Sequence, residues 1–125
     1  MKITAATTLF ATFLSFSTTA VAQGPGQACY YWDGATYGNV EGICGNPSTC
    51  EANMGYTVVG RCSGGADNRC CIRRGCVAGA SGGRPGRCTT IGQCNSRPGF
   101  RRQAGYCPGP SDIQCCWNPS GPIPV

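Results

Sequence analysis

The feature that most constrains the fold is a ten-residue frame that occurs twice, each time ending in two adjacent cysteines. One copy covers residues 62–71 and the other covers residues 107–116. Adjacent side chains on a β-strand point to opposite faces of the sheet. We therefore expect each cysteine pair to lie on a central strand, with its two members bonded to different parts of the chain.

The similarity between the two copies extends well beyond this frame. Cysteines and glycines match at an offset of 44 in the earlier part of each copy and at an offset of 45 from Gly60 and Gly105 onward. Tyr56 and Phe100 align at the offset of 44, as an aromatic residue common to both copies. The pattern predicts a small disulfide-rich fold, mainly strands and loops, built from two tandem six-cysteine repeats with little helix.

The remaining segments divide around these copies. Residues 1–22 are a predicted signal peptide, in which Lys2 precedes an apolar stretch and Ala20-Val21-Ala22 forms a small-residue cleavage site. We assign residues 23–72 to repeat 1, residues 76–117 to repeat 2 and residues 118–125 to a flexible tail. The expected product is a secreted monomer without a transmembrane segment.

All twelve cysteines are predicted to form disulfides. An even number of cysteines behind a secretory signal favours this use, and the sequence has neither histidine nor the C-x2-C pairs of many zinc sites. We therefore expect neither a metal nor a cofactor. If the repeat was duplicated as a complete unit, its six cysteines already paired with one another before the duplication. We therefore expect three disulfides within each repeat, and the sequence leaves their pairing open. The cysteines are Cys29, Cys44, Cys50, Cys62, Cys70, Cys71, Cys76, Cys88, Cys94, Cys107, Cys115 and Cys116.

A basic dipeptide, Arg73-Arg74, lies between the repeats. Only four residues separate Cys71 from Cys76, so the two repeats must lie against each other. Secretory processing proteases cut at dibasic pairs of this type, and the sequence leaves open whether this pair is processed.

Charge is distributed unevenly between the two repeats. Residues 23–74 hold four arginines and four acidic residues, whereas residues 75–125 hold five arginines against Asp112 alone. Arginine side chains suit carboxylates and phosphates. A positive charge this modest in a secreted chain does not indicate binding to nucleic acid.

Groups able to perform catalysis are few. Histidine is absent, bridged cysteines provide no thiolate, and the five acidic residues are scattered along the chain. Asp67 and Asp112 occupy matching positions in the two frames, which favours a structural role for both. We expect no enzymatic activity.

An aromatic cluster occurs in repeat 1 alone. Tyr30, Tyr31 and Trp32 precede the turn sequence Asp33-Gly34, and Tyr37 follows it. An Asp-Gly pair between segments of strand propensity indicates a β-hairpin. Flat rings on a rigid scaffold suit the faces of sugar rings, so these four aromatic residues are the candidate ligand-binding residues. Strand alternation predicts that one or two of the first three lie in the core instead.

Repeat 2 resembles a short cysteine-rich module of secreted fungal proteins. The similarity rests on Gly86-x-Cys88, on the C-x5-C pair of Cys88 and Cys94, and on residues 105–116, GYCPGPSDIQCC. Such modules accompany peptidoglycan-cleaving domains of the lysozyme or NlpC/P60 type, and also occur alone or in tandem. The resemblance implies a non-catalytic module, extracellular or associated with the cell wall, that binds chitin or peptidoglycan. The alternatives are a small secreted cationic effector or antimicrobial protein and, third, a protease inhibitor.

Overall fold

The computed structural model describes residues 24–121, which fold into two four-stranded sheets, one in each repeat. The predicted signal peptide and the last four residues of the predicted tail lie outside the described residues. Repeat 1 contains β1 (Ala28–Trp32), α1 (Gly34–Tyr37), β2 (Asn39–Gly45), α2 (Pro47–Ala52), β3 (Tyr56–Val58) and β4 (Arg69–Ile72). Repeat 2 contains β5 (Gly75–Cys76), a 3-10 turn (Gly79–Ser81), β6 (Gly86–Thr90), α3 (Ile91–Asn95), β7 (Arg101–Gln103) and β8 (Ile113–Trp117).

Both sheets have the same topology. The strand orders are β1-β2-β4-β3 and β5-β6-β8-β7, and all neighbouring strands are antiparallel. The adjacent cysteines lie on β4 and β8, which are central strands, and the longest described helix has six residues. The prediction of two tandem six-cysteine repeats dominated by strands and loops is confirmed.

The disulfides repeat one pairing pattern. In each repeat the first cysteine pairs with the fifth, the second with the fourth and the third with the sixth, and no bridge joins the repeats. Adjacent cysteines are therefore tied to different elements, because Cys70 bonds to Cys29 on β1 while Cys71 bonds to Cys50 on α2. The six bridges are Cys29–Cys70, Cys44–Cys62, Cys50–Cys71, Cys76–Cys115, Cys88–Cys107 and Cys94–Cys116.

Local capping explains where α2 and α3 begin. The Asn46 side-chain oxygen accepts from the N–H of Ser48 at 2.8 Å, and Pro47 occupies the first helical position of α2. The Thr90 hydroxyl accepts from the N–H of Gln93 at 3.1 Å at the start of α3. Each helix is then held on its sheet by the bridge from the third cysteine of its repeat.

The alignment of Tyr56 with Phe100 is wrong. In sheet 1, Tyr56 on β3 pairs with Ile72, and in sheet 2, Arg101 on β7 pairs with Trp117, which lies at the offset of 45 from Ile72. The extra residue of repeat 2 therefore precedes β7. Tyr56 is equivalent to Arg101, and the two aromatic residues occupy different places in the fold.

The two repeats share buried contacts although no disulfide joins them. Met54 of repeat 1 is fully buried and packs against the Cys94–Cys116 disulfide of repeat 2. The hydroxyl of Thr89, also fully buried, donates to the Gly55 carbonyl oxygen at 3.2 Å. The short connector between the repeats had implied that they lie against each other, and this is confirmed.

Two hydrogen bonds also join the repeats. The Asp33 carboxylate accepts a hydrogen bond from the N–H of Gly109, within the ten-residue frame of repeat 2. The Arg97 side chain donates to the carbonyl oxygen of Ala52 at 2.8 Å. The loop after β1 and the end of α2 thus both bind repeat 2, which fixes the orientation of one sheet against the other.

Candidate functional site

Strand β1 separates the first three candidate aromatic residues onto two faces. Burial alternates along the strand, so that Tyr30 and Trp32 are 59 % and 66 % exposed while Tyr31 is 9 % exposed. Two exposed rings on alternate residues of a strand lie about 7 Å apart along the chain. The structure therefore brings Tyr30 and Trp32 together on one face of sheet 1, called here the outer face, and directs Tyr31 to the core.

Tyr31 forms a buried pair with Tyr56. Their hydroxyl oxygens lie 2.7 Å apart, and the Tyr31 hydroxyl also donates to the Asp33 carboxylate at 3.3 Å. Burial is the main cause that raises the pKa of both tyrosines above the ordinary value. These hydroxyls remain protonated at neutral pH and act as structural hydrogen-bonding groups between β1 and β3.

Tyr37 lies in the loop between β1 and β2, where α1 lengthens the hairpin that Asp33-Gly34 predicts. Its ring is half-buried and packs against the core, and the guanidinium carbon of Arg74 lies 5.3 Å from the ring centroid. This is the geometry of a cation–π contact. One face of the Tyr37 ring is thus covered by the connector between the repeats.

Two polar residues stand beside the exposed rings. In the register of the hairpin, Glu41 on β2 lies directly opposite Tyr30, and Asn39 lies opposite Trp32. Both are exposed on the outer face. The sequence did not identify these two residues because the register of β2 depends on a six-residue loop. The alternation of polar and apolar residues along β2 is the signal that could have identified them.

A depression with a volume of about 380 Å³ lies beside Tyr30 on the outer face. Among its lining residues are Ala28, Ile43, Glu41 and Arg73, so an apolar surface is flanked by a carboxylate and a guanidinium group. It combines an exposed ring, apolar contact and charged hydrogen-bonding groups, as in sites for small polar ligands.

This depression continues toward α2. An adjoining depression with a volume of about 250 Å³ shares Ile43 and Arg73 with the first one, together with the Cys71 half of a disulfide. We call the two together the outer groove. At the α2 end it is lined by three polar residues, Asn46, Thr49 and Asn53.

Two groups of cysteine sulfurs have the proximity expected of metal ligands. In repeat 1 the sulfurs of Cys29, Cys44 and Cys62 lie within 4.8 Å of one another, and repeat 2 has the equivalent group. The cause is that two disulfides lie side by side at this place in each repeat. Every one of these sulfurs is already bonded to another cysteine.

Comparison with known proteins gives one informative similarity. No family model matches the chain, and no solved structure matches it. A protein of Arthroderma benhamiae, described as an uncharacterized secreted protein, is 36 % identical over 76 residues. The match covers 60 % of this chain and 27 % of that protein, so the chain spans about a quarter of its relative. The relative is thus a secreted fungal protein, and the six disulfides of this chain fit an extracellular location.

Within residues 24–121, no helix is long and apolar enough to cross a membrane.

Proposed function

We propose that this protein is a secreted, non-catalytic module that binds a cell-wall polysaccharide, either chitin or peptidoglycan. The ligand would lie along the outer groove and against the rings of Tyr30 and Trp32. The observation that carries the proposal is the pair of exposed rings on one disulfide-held strand, with Asn39 and Glu41 beside them.

The chemistry of this face suits a sugar. Aromatic rings offer flat apolar surfaces to the C–H faces of sugar rings, and exposed clusters of this kind often mark a binding site. The Asn39 amide both donates and accepts hydrogen bonds, and the Glu41 carboxylate accepts them. Hydroxyl groups need both kinds of partner, so one face can satisfy the apolar and polar sides of a sugar unit.

The rigidity of the site supports binding of a long polymer. Strand β1 is paired with β2 along its whole length, and the Cys29–Cys70 bridge fixes it to the central strand. A rigid site loses little conformational entropy when it binds. The strand that carries the rings is therefore held in one arrangement before the ligand arrives.

One further observation supports the assignment to a wall polymer, and another supports secretion. Repeat 2 resembles modules that accompany peptidoglycan-cleaving domains, through residues 105–116. The relative in Arthroderma benhamiae is a secreted protein of greater length than this chain. In this proposal the chain supplies attachment and performs no catalysis.

The experiment is retention on insoluble chitin and peptidoglycan at low and high salt. Wild type should be retained at both, because stacking on a neutral sugar is not screened by salt. Trp32→Ala and Tyr30→Ala should each weaken binding by about ten-fold, equivalent to about 1.4 kcal/mol. Val59→Ala is the matched control, because it removes an exposed apolar side chain outside the outer groove and should bind like wild type.

The outcomes separate the proposal from its alternatives. Failure of wild type to bind either polymer contradicts the proposal. Full retention of a folded Trp32→Ala protein places the site elsewhere on the surface. Leakage of liposomes by wild type, without retention on either polymer, would instead support a membrane-active antimicrobial protein.

A further inference from the structure

A further depression, which is basic, lies on repeat 2 around the edge strand β7. Its volume is about 470 Å³, and we call it the basic depression. Arg101 and Arg102 are both exposed, while Trp117 is buried in the core beneath. The lining residues are Ala80, Asn95, Phe100, Arg101, Arg102 and Trp117.

Arg102 is held in place by two amide side chains. Its Nε donates to Asn95 Oδ1 at 3.2 Å, and its Nη1 donates to Gln114 Oε1 at 2.9 Å. A guanidinium group carries five N–H donors, and these two bonds use two of them. An exposed arginine without such partners samples many rotamers, whereas here the guanidinium group is oriented before any ligand binds.

The charge of repeat 2 strengthens the positive potential at this depression. Five arginines and one acidic residue, Asp112, lie between residues 75 and 125. Repeat 1 has no comparable excess of either sign. An anionic ligand would thus be attracted to repeat 2 over a distance set by salt screening.

We infer that the basic depression binds a carboxylate group of an acidic polysaccharide, a chain of uronic acid units. The fork of Arg102 matches the two oxygens of a carboxylate. The Asn95 amide still has N–H groups for sugar hydroxyls, and the half-buried Phe100 ring offers apolar contact. A polyphosphate would use only the positive charge, so the mixed lining favours a sugar acid. This site is separate from the outer groove and does not depend on the function proposed for it.

The test is binding of soluble polygalacturonate, measured by calorimetry at low and moderate salt. The neutral control ligand is the fully methyl-esterified form of the same polymer. Wild type should bind the acid form about ten-fold more tightly than the ester, because charge-assisted hydrogen bonds are lost on esterification. Equal affinity for the two forms would overturn the inference.

Variants then distinguish an oriented guanidinium group from general positive charge. Arg102→Lys keeps the charge but loses the fork, and should weaken binding about five- to ten-fold. Arg61→Gln removes one exposed charge from repeat 1 and should change affinity by less than about two-fold. Wild-type affinity in Arg102→Lys, or an equal loss in Arg61→Gln, contradicts the inference.

Other ligands and the outer groove provide the remaining controls. Polyphosphate, or vesicles of anionic phospholipid, binding as tightly as polygalacturonate would contradict recognition of a sugar acid. Trp32→Ala, which tests the outer groove, should leave polygalacturonate affinity unchanged. Failure at one site is therefore distinguishable from failure at the other.

Discussion

The two repeats share one disulfide framework but use the outer faces of their sheets differently. In repeat 1, β1 and β2 pair over five residues and carry the exposed rings of Tyr30 and Trp32. In repeat 2, β5 and β6 pair over only two residues. The corresponding face of sheet 2 is buried against repeat 1, because Met54 packs against Cys116 and the Gly55 carbonyl oxygen accepts from Thr89. Once three bridges hold a sheet together, the hairpin at its edge can be long and carry exposed rings, as in repeat 1, or be short, as in repeat 2.

The cores of the repeats differ in the same manner. Repeat 1 fills the space between its bridges with Tyr31 and Tyr56, from the two edge strands. Tyr31 lies two residues after the first cysteine of repeat 1, and the equivalent residue of repeat 2 is the buried Ala78. In repeat 2 the Trp117 ring from the central strand packs against Ala78. Bulk lost from one strand is supplied by another, which keeps the packing dense.

The bridge between the third and sixth cysteines should give the largest difference between the repeats. Replacing either pair by alanine removes a constraint worth about 3 kcal/mol on the chain-entropy model, because the sequence separations are 21 and 22 residues. Loss of Cys94 and Cys116 should lower the free energy of unfolding by about 1–2 kcal/mol more than loss of Cys50 and Cys71, since it also leaves a cavity against Met54. Unfolding by guanidinium chloride under non-reducing conditions measures the free energy of unfolding of both double variants. Equal losses would mean that packing between the repeats adds little stability.

Matching glycines should show a smaller effect that is the same in both repeats. A Cβ at Gly42 would collide with the Cys71 carbonyl oxygen, and one at Gly86 would lie 2.7 Å from the Cys116 carbonyl oxygen. Alanine at either position should therefore destabilise the fold by about 2 kcal/mol. Gly45→Ala is the control, because nothing lies within 4 Å of its added Cβ and the change should be below about 0.5 kcal/mol. Thermal unfolding that shows a loss in only one repeat would contradict equivalent close approach of the strands.

The buried tyrosine pair should give the smallest effect, confined to repeat 1. Tyr56→Phe removes the hydrogen bond to Tyr31 and should cost about 1 kcal/mol at neutral pH. Because burial raises both pKa values above the unfolded value of about 10, the contribution of the protonated pair is complete below that pH. It is lost as the pH rises further. The free energy of unfolding should thus fall more steeply above about pH 10 in wild type than in Tyr31→Phe/Tyr56→Phe. Parallel pH profiles would contradict this account.

The disulfide-rich architecture could be predicted because the duplicated frame restricts it strongly. Adjacent cysteines such as Cys70 and Cys71 point to opposite faces of a strand, so each must bond to a cysteine on its own face. The pairing order could not be predicted, since several pairings satisfy the same spacing. The alignment of Tyr56 failed because the extra residue of repeat 2 fits equally well at several positions between Cys94 and Cys107, and only strand register decides its place.

The candidate site was predictable only in part. Alternation along β1 separates Tyr30 and Trp32 from Tyr31, and this follows from sequence once the strand is recognised. The positions of Glu41 and Asn39 follow from the register of a hairpin whose loop contains α1, which the Asp33-Gly34 signal does not specify. Contacts between the repeats, such as the one at Met54, depend on the tertiary arrangement and leave no local pattern.

The position of the bridges has a mechanical consequence. Tension applied to the chain before Cys29 and after Cys115 would pass directly through the Cys29–Cys70 bond, along the connector, and through the Cys76–Cys115 bond. Only the six peptide steps from Cys70 to Cys76 lie on this path, and they extend to about 20 Å at most. The rest of both repeats is shielded from the pulling force. A protein tethered at its ends would thus act as a short, nearly inextensible link and would keep its surfaces folded under load.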